Sequence, residues 1–437
     1  MIFFLDEFTI CDTAIYDKNM FIATCNLTIA AISYAFDTAE DDITIQKAII
    51  GLHYCTLIAK KFKMNNIIDN VINSLSLLSG LQNETPEGYD PLAKPKTLDK
   101  WSVEFGSNTK GQVASLLMFD IIADYGNNIY GGWKSIMQCV NNLFLHSLLP
   151  ESITEYDDVL RGKSQIPHLV TTKPVKKSDS IRRDTGFIST LFQFALAQQN
   201  EDNYQPTQEE LAAQHFTSEC IKSSRITDIF DNIKSMEKES LIELCNAMIQ
   251  YSFKPIKKTP SIKNINKQVQ NMEQQVSSSN SSINNESLTH QYFTEHINSI
   301  NTSKQSSPNS SIKNLQASKG GENKIEFSSA ALFFLYWLTK ITVENADRVN
   351  ELWNITFDHC TEILKNAAYC PSNLIEHTVV SLMKLCKKLI ELGIKPEFVI
   401  STFESLKLIP INIMNEINEP LMAGVDLLVK EAPQYIR

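Results

Sequence analysis

Along this chain, apolar residues return again and again at spacings of three and four, interrupted by short polar breaks. After Asn108, residues Ala114, Leu117, Met118, Ile121, Ile122 and Tyr125 follow that spacing; from Gly132 on, Trp133, Ile136, Met137, Val140, Leu143 and Phe144 repeat it. Offsets of this kind place one stripe on a helix of 3.6 residues per turn. The spacing therefore predicts two amphipathic helices that pair back to back. Gly126, Gly131 and Gly132 break the pattern between them, and Pro150 stops the second helix.

The same rhythm fills most of the remaining chain. Met20–Asp37 is apolar, and Asp42 is read as the cap of a helix carrying Ile45, Ile49, Leu52 and Cys55. A third helix carries Ile67, Ile68, Val71, Ile72, Leu75 and Leu78 and ends near Gly80. Later helices are expected over Phe187–Gln198, Gln208–Ile221, Thr227–Ile233 and Lys238–Tyr251. Phe327–Thr339 is apolar almost all round, so that helix is expected to lie between neighbours. Asp347–Ala367, a helix after Pro371 and two more within Pro396–Glu431 complete the set. No strand alternation stands out. Helical pairs recurring at about 40 residues have the period of armadillo and HEAT arrays. The expected fold is all-α, an armadillo/HEAT-like solenoid in two stacks.

Two stretches depart from the rhythm. Residues 161–183 carry seven lysines and arginines against the single acid Asp179, and read as an exposed basic loop. Residues 254–324 are rich in Ser, Asn, Gln and Lys, with nine lysines and four glutamates. A segment so poor in apolar residues cannot offset its ordering entropy and reads as a disordered linker. The expected divisions are thus 1–160, 161–183, 184–253, 254–324 and 325–437.

Composition narrows the class. With 43% hydrophobic residues over 437 positions the chain can bury a sizeable core, and a net charge of −10 argues against a nucleic-acid binder. The nine cysteines are scattered singly, without a Cys-x-x-Cys, as small buried hydrophobes in a reducing compartment would be. Met1–Leu5 lacks a basic flank and makes a poor signal peptide; the apolar window Ala330–Leu338 is short of the ~20 residues of a membrane span. A soluble or peripheral intracellular protein is expected.

No reactive constellation emerges. Gly162-Lys163-Ser164 is half a P-loop, but Asp157 stands where its first glycine belongs. His359-Cys360 reads as a core cysteine beside a hydrogen-bonded histidine, because adjacent helical residues point about 100° apart and no second pair lies at ligand spacing. His53 reads as structural, and Asp41-Asp42 and Asp157-Asp158 as helix starts or turns. No metal site, cofactor or catalytic residue is assigned. The basic loop reads first as a solvated surface. Its other readings are contact of Lys173, Lys176, Lys177, Arg182 and Arg183 with an anionic leaflet, at about 1 kcal/mol per cation, and phosphate capture by Arg182-Arg183.

Particular words in the chain are less generic than its rhythm. The run Asn108-Thr109-Lys110 with Gln112, then Asp124-Tyr125-Gly126-Asn127-Asn128-Ile129, then Gly132-Trp133-Lys134-Ser135-Ile136, closing on Leu148-Leu149-Pro150, resembles the region downstream of the catalytic domain in the large Golgi Arf exchange factors, the brefeldin-A-resistance and GNOM-like family. The resemblance runs over three blocks, 17–157, 205–253 and 325–437, the last including Glu344-Asn345-Ala346-Asp347-Arg348-Val349. The chain departs from the family pattern where Leu27 replaces a proline, where Ala346 replaces a basic residue, and in its long Ser/Asn linker. Nothing in it resembles the catalytic domain with its glutamate finger.

The resemblance implies a non-catalytic regulatory and membrane-recruitment region of an Arf guanine-nucleotide exchange factor in Golgi vesicle-mediated transport, here a fragment, split gene product or truncated relative. Residues 1–253 would form the first homology region after the catalytic domain and 325–437 a second helical region. Tyr125, Gly126, Gly132, Trp133, Asn345, Asp347 and Arg348 would be structural motif residues. Expected partners are an Arf-type small GTPase through an adjoining catalytic domain, an anionic membrane surface and trafficking regulators, with no nucleic acid. The expected location is cytoplasmic and peripheral on Golgi or early secretory membranes. The other reading is a stand-alone helical-repeat scaffold that binds trafficking partners without exchange activity.

Overall fold

A computed structural model describes residues 14–83, 98–158, 162–169, 206–253, 327–393 and 395–431. The expected helix Phe187–Gln198, the cations from Lys173 to Arg183 and the segment 254–324 lie outside the described residues. What is described is mostly helical. In order the helices are α1 Asp17–Thr38, α2 Asp42–Lys61, α3 Asn65–Leu78, α4 Lys100–Ser107, α5 Thr109–Tyr125, α6 Gly132–Leu145 and α7 Glu151–Thr154. After a two-stranded hairpin come α8 Gln208–Ser223, α9 Ile226–Asp231 and α10 Lys238–Ser252. Then follow α11 Ala331–Glu344, α12 Val349–Lys365, α13 Ser372–Leu392, α14 Pro396–Ser405, α15 Ile411–Glu416 and α16 Asn418–Glu431.

The stripes read from sequence are the faces that pack. In α3, Ile67, Ile68, Val71, Ile72 and Leu75 are almost wholly buried, which stabilises the helix by roughly 10 kcal/mol at 1.5–3 kcal/mol per aliphatic side chain. That is far above the spread of intrinsic helix propensities, at most ~0.7 kcal/mol for ordinary residues. For the same reason α11 is helical although its sequence, ALFFLYWLTKITVE, is full of aromatic and β-branched residues. Its side chains are buried nearly all round, as expected, by α10, α12 and α13.

Four local expectations need correction. The cap of α2 is Asp41, whose carboxylate accepts the Thr44 N–H at 2.8 Å; Asp42 is the first helical residue. The helices α5 and α6 do not pair back to back: both rest on α3, and α6 also meets α10. A strand pair exists, Glu155–Asp158 with Gly162–Gln165 in antiparallel register, Glu155 opposite Gln165. Four-residue strands carry too few positions for alternation to register, and Lys163 of the half P-loop lies in the second of them. Finally, α1 is long and apolar enough by length and composition to cross a membrane, which the shorter window Ala330–Leu338 had not suggested. It nonetheless packs on α2 and α3 through Cys25, Ile29, Ser33 and Phe36.

Helices assigned in sequence to two stacks meet directly. α10 packs against α11 and α12, and the described residues up to Phe253 and from Phe327 onward belong to one compact unit. At the seam Phe253 pairs with Phe327 through a β-bridge with rings 5.2 Å apart, and Ser328 donates its N–H to the Ser252 carbonyl at 2.9 Å. A tight crossing occurs between α4 and α8. A Cβ on Gly106 would fall 1.8 Å from the Ala213 carbonyl oxygen, so no side chain fits there.

Candidate functional site

The motif residues turn out to be joints between helices. Asn108 caps α5 by accepting the Gly111 N–H at 2.9 Å. Lys110 reaches back to the end of α1 and donates to the carbonyls of Phe36, Asp37 and Ala39, the shortest at 2.6 Å. Gln112 donates to Phe105 and Gly106 at the end of α4. One short run thus satisfies the orphan groups of three helix ends, where carbonyls and amides lack intrahelical partners.

The second set centres on Ser240 of α10. The Trp133 indole N–H donates to the Ser240 hydroxyl at 2.9 Å, and that hydroxyl donates to the Gly126 carbonyl at 2.7 Å. Trp133 is wholly buried, and the Tyr125 ring carries the Lys60 ammonium 4.1 Å from its centroid. Gly132 opens α6 beneath a carboxylate that sequence reasoning missed. Asp69 of α3 accepts the N–H groups of Tyr130, Gly131 and Gly132, each at 3.0 Å. Burial raises the Asp69 pKa while these three hydrogen bonds pull it down. A Cβ on Gly132 would stand 3.1 Å from that carboxylate. The available signal was a lone acid between Ile68 and Val71 on an otherwise apolar stripe.

The third set ties the two sides of the seam. Arg348 donates to the Lys234 carbonyl at 3.0 Å, to the Met236 carbonyl and to the Asn345 side chain. Asn345 in turn donates to Ile341 at the end of α11. Asp347 is exposed and lies 4.0 Å from the guanidinium. Tyr125, Gly126, Gly132, Trp133, Asn345 and Arg348 thereby lie at contacts between helices, and Asp347 stands exposed beside Arg348. The expected membrane-contact residues, Lys173, Lys176, Lys177, Arg182 and Arg183, lie outside the described residues.

His359 differs from its expected state. It is buried, and neither ring nitrogen has a hydrogen-bond partner among the described residues. Its neighbour is the Phe253 ring, edge-on at 5.4 Å, and burial pushes its pKa down to about 4, so the ring is neutral. Burial likewise pushes Cys245 and Cys360 up to about 12 and Cys386 to about 11, which leaves no thiolate at neutral pH. These groups are built for packing. Among the described residues no group of three metal-ligating side chains converges.

What the described surface does hold is a groove of about 400 Å³ between α11 and α13, closed at one end by the strand pair and Pro167. Along α11 it is lined by Leu332, Leu335, Tyr336, Thr339, Lys340 and Val343, one full stripe. α13 supplies His377, Val380, Ser381, Lys384, Lys387 and Lys388. Tyr156 sits edge-on to both Tyr336 and His377, at 5.9 and 5.6 Å, and so fixes those two residues at one level. Both walls run from apolar toward charged in chain direction. The other notable surface is α1–α2, where Met20, Leu27 and Tyr34 form an exposed stripe at heptad spacing and Ile43, Ile50 and Leu57 form another.

No protein-family model matches the chain. It is similar to the ARF guanine-nucleotide exchange factor GNOM of Arabidopsis thaliana, 24% identical over 98% of this chain and 25% of that protein. The Golgi-specific brefeldin A-resistance guanine nucleotide exchange factor 1 homolog of Caenorhabditis elegans is 24% identical over 85% of this chain and 17% of its own length. ARF guanine-nucleotide exchange factor 2 of Saccharomyces cerevisiae is 22% identical over 52% of the chain and 17% of its own length. The chain thus spans a quarter or less of these relatives. It is a relative of the GNOM-like Arf guanine-nucleotide exchange factors, similar to one region of them.

Proposed function

We propose that this chain is a non-catalytic regulatory and membrane-recruitment region of an Arf guanine-nucleotide exchange factor, acting in Golgi vesicle-mediated transport from the cytoplasmic face. The observation that carries the reading is the similarity to GNOM over 98% of the chain but only 25% of that protein. In this reading the region lies downstream of the catalytic domain, and its helices stack as an armadillo/HEAT-like array whose faces dock an Arf-bearing catalytic domain and trafficking regulators. The joints at Lys110, Asp69, Ser240 and Arg348 support it, since they stiffen a framework without converging on a reaction centre. The seven cations in residues 161–183 would meet an anionic leaflet.

The decisive test is GDP release from an Arf on adding the purified chain. Release at the uncatalysed rate is expected, and acceleration by the chain alone overturns the non-catalytic reading. For recruitment, phosphatidylserine vesicles should float the wild-type chain better than one with Lys173, Lys176, Lys177, Arg182 and Arg183 changed to glutamate. Equal flotation removes the loop from the proposal.

A further inference from the structure

We propose that the part of the chain up to Phe253 carries a docking interface for the part from Phe327 onward, one that holds without the covalent connection between them. The chain then stays one folded body when it is cut or shortened between those two residues. The inference goes beyond the exchange-factor reading and rests on the contacts across the seam.

The two ends of the seam are the first argument. Phe253 leaves α10 in extended backbone, φ −104° and ψ 146°, and pairs antiparallel with Phe327. Directly opposed antiparallel residues have Cα atoms about 5 Å apart, and a two-residue turn is enough to join them. The last carbonyls of α10 are taken up from across the seam: Tyr251 accepts the Ser328 hydroxyl at 2.7 Å, and Ser252 accepts the Ser328 N–H at 2.9 Å. Carbonyls at a helix end lack intrahelical partners, and here the far side of the seam supplies them. The next residue is held as well, since the Ser329 carbonyl accepts the Leu169 N–H at 2.8 Å.

The second argument is how far the interface extends beyond the seam. Trp337 donates its indole N–H to the Ile153 carbonyl at 3.1 Å and sets its ring 4.3 Å from that of Phe230. Phe333 rests on Phe144, with ring centroids 4.7 Å apart. Past the end of α11, Arg348 holds the Lys234 and Met236 carbonyls, and Lys238 pairs with Glu351 at 3.2 Å. Residues of α6, α7, α9 and α10 thus all reach α11 or the residues that follow it. Buried aromatic anchors of this kind carry most of the energy of a non-covalent interface, each taking about 150–250 Å² out of water. A cut between Phe253 and Phe327 ends the high effective concentration that a tether gives its two ends. It removes none of these contacts.

The test uses the full chain with a site-specific protease sequence in place of residues 284–290. After complete cleavage, gel filtration in native buffer is expected to elute both pieces together at the position of the uncut chain, with the circular dichroism of that chain. Pieces that elute apart, or a loss of helical signal on cutting, overturn the proposal. A second variant needs no cleavage: an Asn-Gly dipeptide joins Phe253 to Phe327 in place of residues 254–326. It is expected to melt no lower than the wild-type chain, because a shorter closing loop costs less entropy. A variant that is unfolded, or that melts several degrees lower, overturns the proposal. Arg348→Met separates docking from folding. In a dilution series followed by fluorescence anisotropy it should raise the Kd of the cut pieces about tenfold, through the lost bonds of a charged donor. The uncut variant should stay one folded species, and an unchanged Kd overturns the place of Arg348 in the interface. None of these measurements reads GDP release from an Arf, so this inference and the exchange-factor reading fail independently.

Discussion

Two helices of this protein are apolar along almost their whole length, and the fold treats them in opposite ways. α11 leaves no residue exposed, because α10, α12 and α13 surround it. α1 has no charged residue from Asn19 through Phe36, yet Met20, Leu27 and Tyr34 are 56%, 61% and 48% exposed. Apolar composition states that a helix gains by acquiring neighbours; how many it acquires depends on where it stands in the assembly. α1 has α2 and α3 against one side only.

The sharpest way to break the contrast is to truncate a core aromatic of α11. Trp337 is buried against Phe230, ring centroids 4.3 Å apart, and donates its N–H to Ile153. Trp337→Ala is expected to cost ~3–5 kcal/mol in urea unfolding. A cost as small as that of a surface change would mean that α11 is not the centre of the unit.

Next in size is a pH effect confined to the α11–α12 side. Burial lowers His359 from 6.5 to about 4. The unfolded chain takes up this proton near pH 6.5, whereas the folded ring stays neutral until about pH 4. The contribution to stability is therefore full above pH 6.5, falls as pH drops through that window, and levels off below about pH 4, a loss of about 3 kcal/mol. Urea midpoints from pH 7.5 down to pH 4.5 should show it, and His359→Leu should remove it. A wild-type midpoint that held steady over this range would refute the neutral buried ring.

Smaller effects belong to α1. Lys110→Met strips three carbonyls at its end of their cation and should lower stability by about 1 kcal/mol, less at high salt. Leu27→Ser should stay within about 0.5 kcal/mol. Binding of a hydrophobic dye to the folded chain should nonetheless fall, because the exposed stripe of α1 is shortened. A Leu27 cost comparable to that of Trp337 would show α1 to be covered.

Much of this was legible in the chain. The stripes of α3, α6, α10, α12 and α13 are the buried faces, and the all-round apolarity of α11 announced its burial. The motif words Asn108–Gln112 and Asn345–Arg348 were legible as special, but their work as joints was not. Lys110 and Phe36 are 74 positions apart, and Arg348 and Met236 are 112 apart. Asp69 is not legible in this way, because one acid on an apolar stripe has no local partner; its three amides come from beyond Ile129. Adjacency in sequence suggests that α5 pairs with α6, whereas both pack on α3.

By itself the sequence determined where helices form and which stripe each one buries, because a 3.6-residue period and the cost of leaving apolar area in water act locally along the chain. Only the tertiary structure decided which helices meet, that α1 keeps a second apolar face in solvent, that His359 finds no hydrogen-bond partner among the described residues, and that α11 and α13 leave a groove between them. Those outcomes depend on contacts between residues far apart in the chain, and no local pattern encodes the distance between two helices.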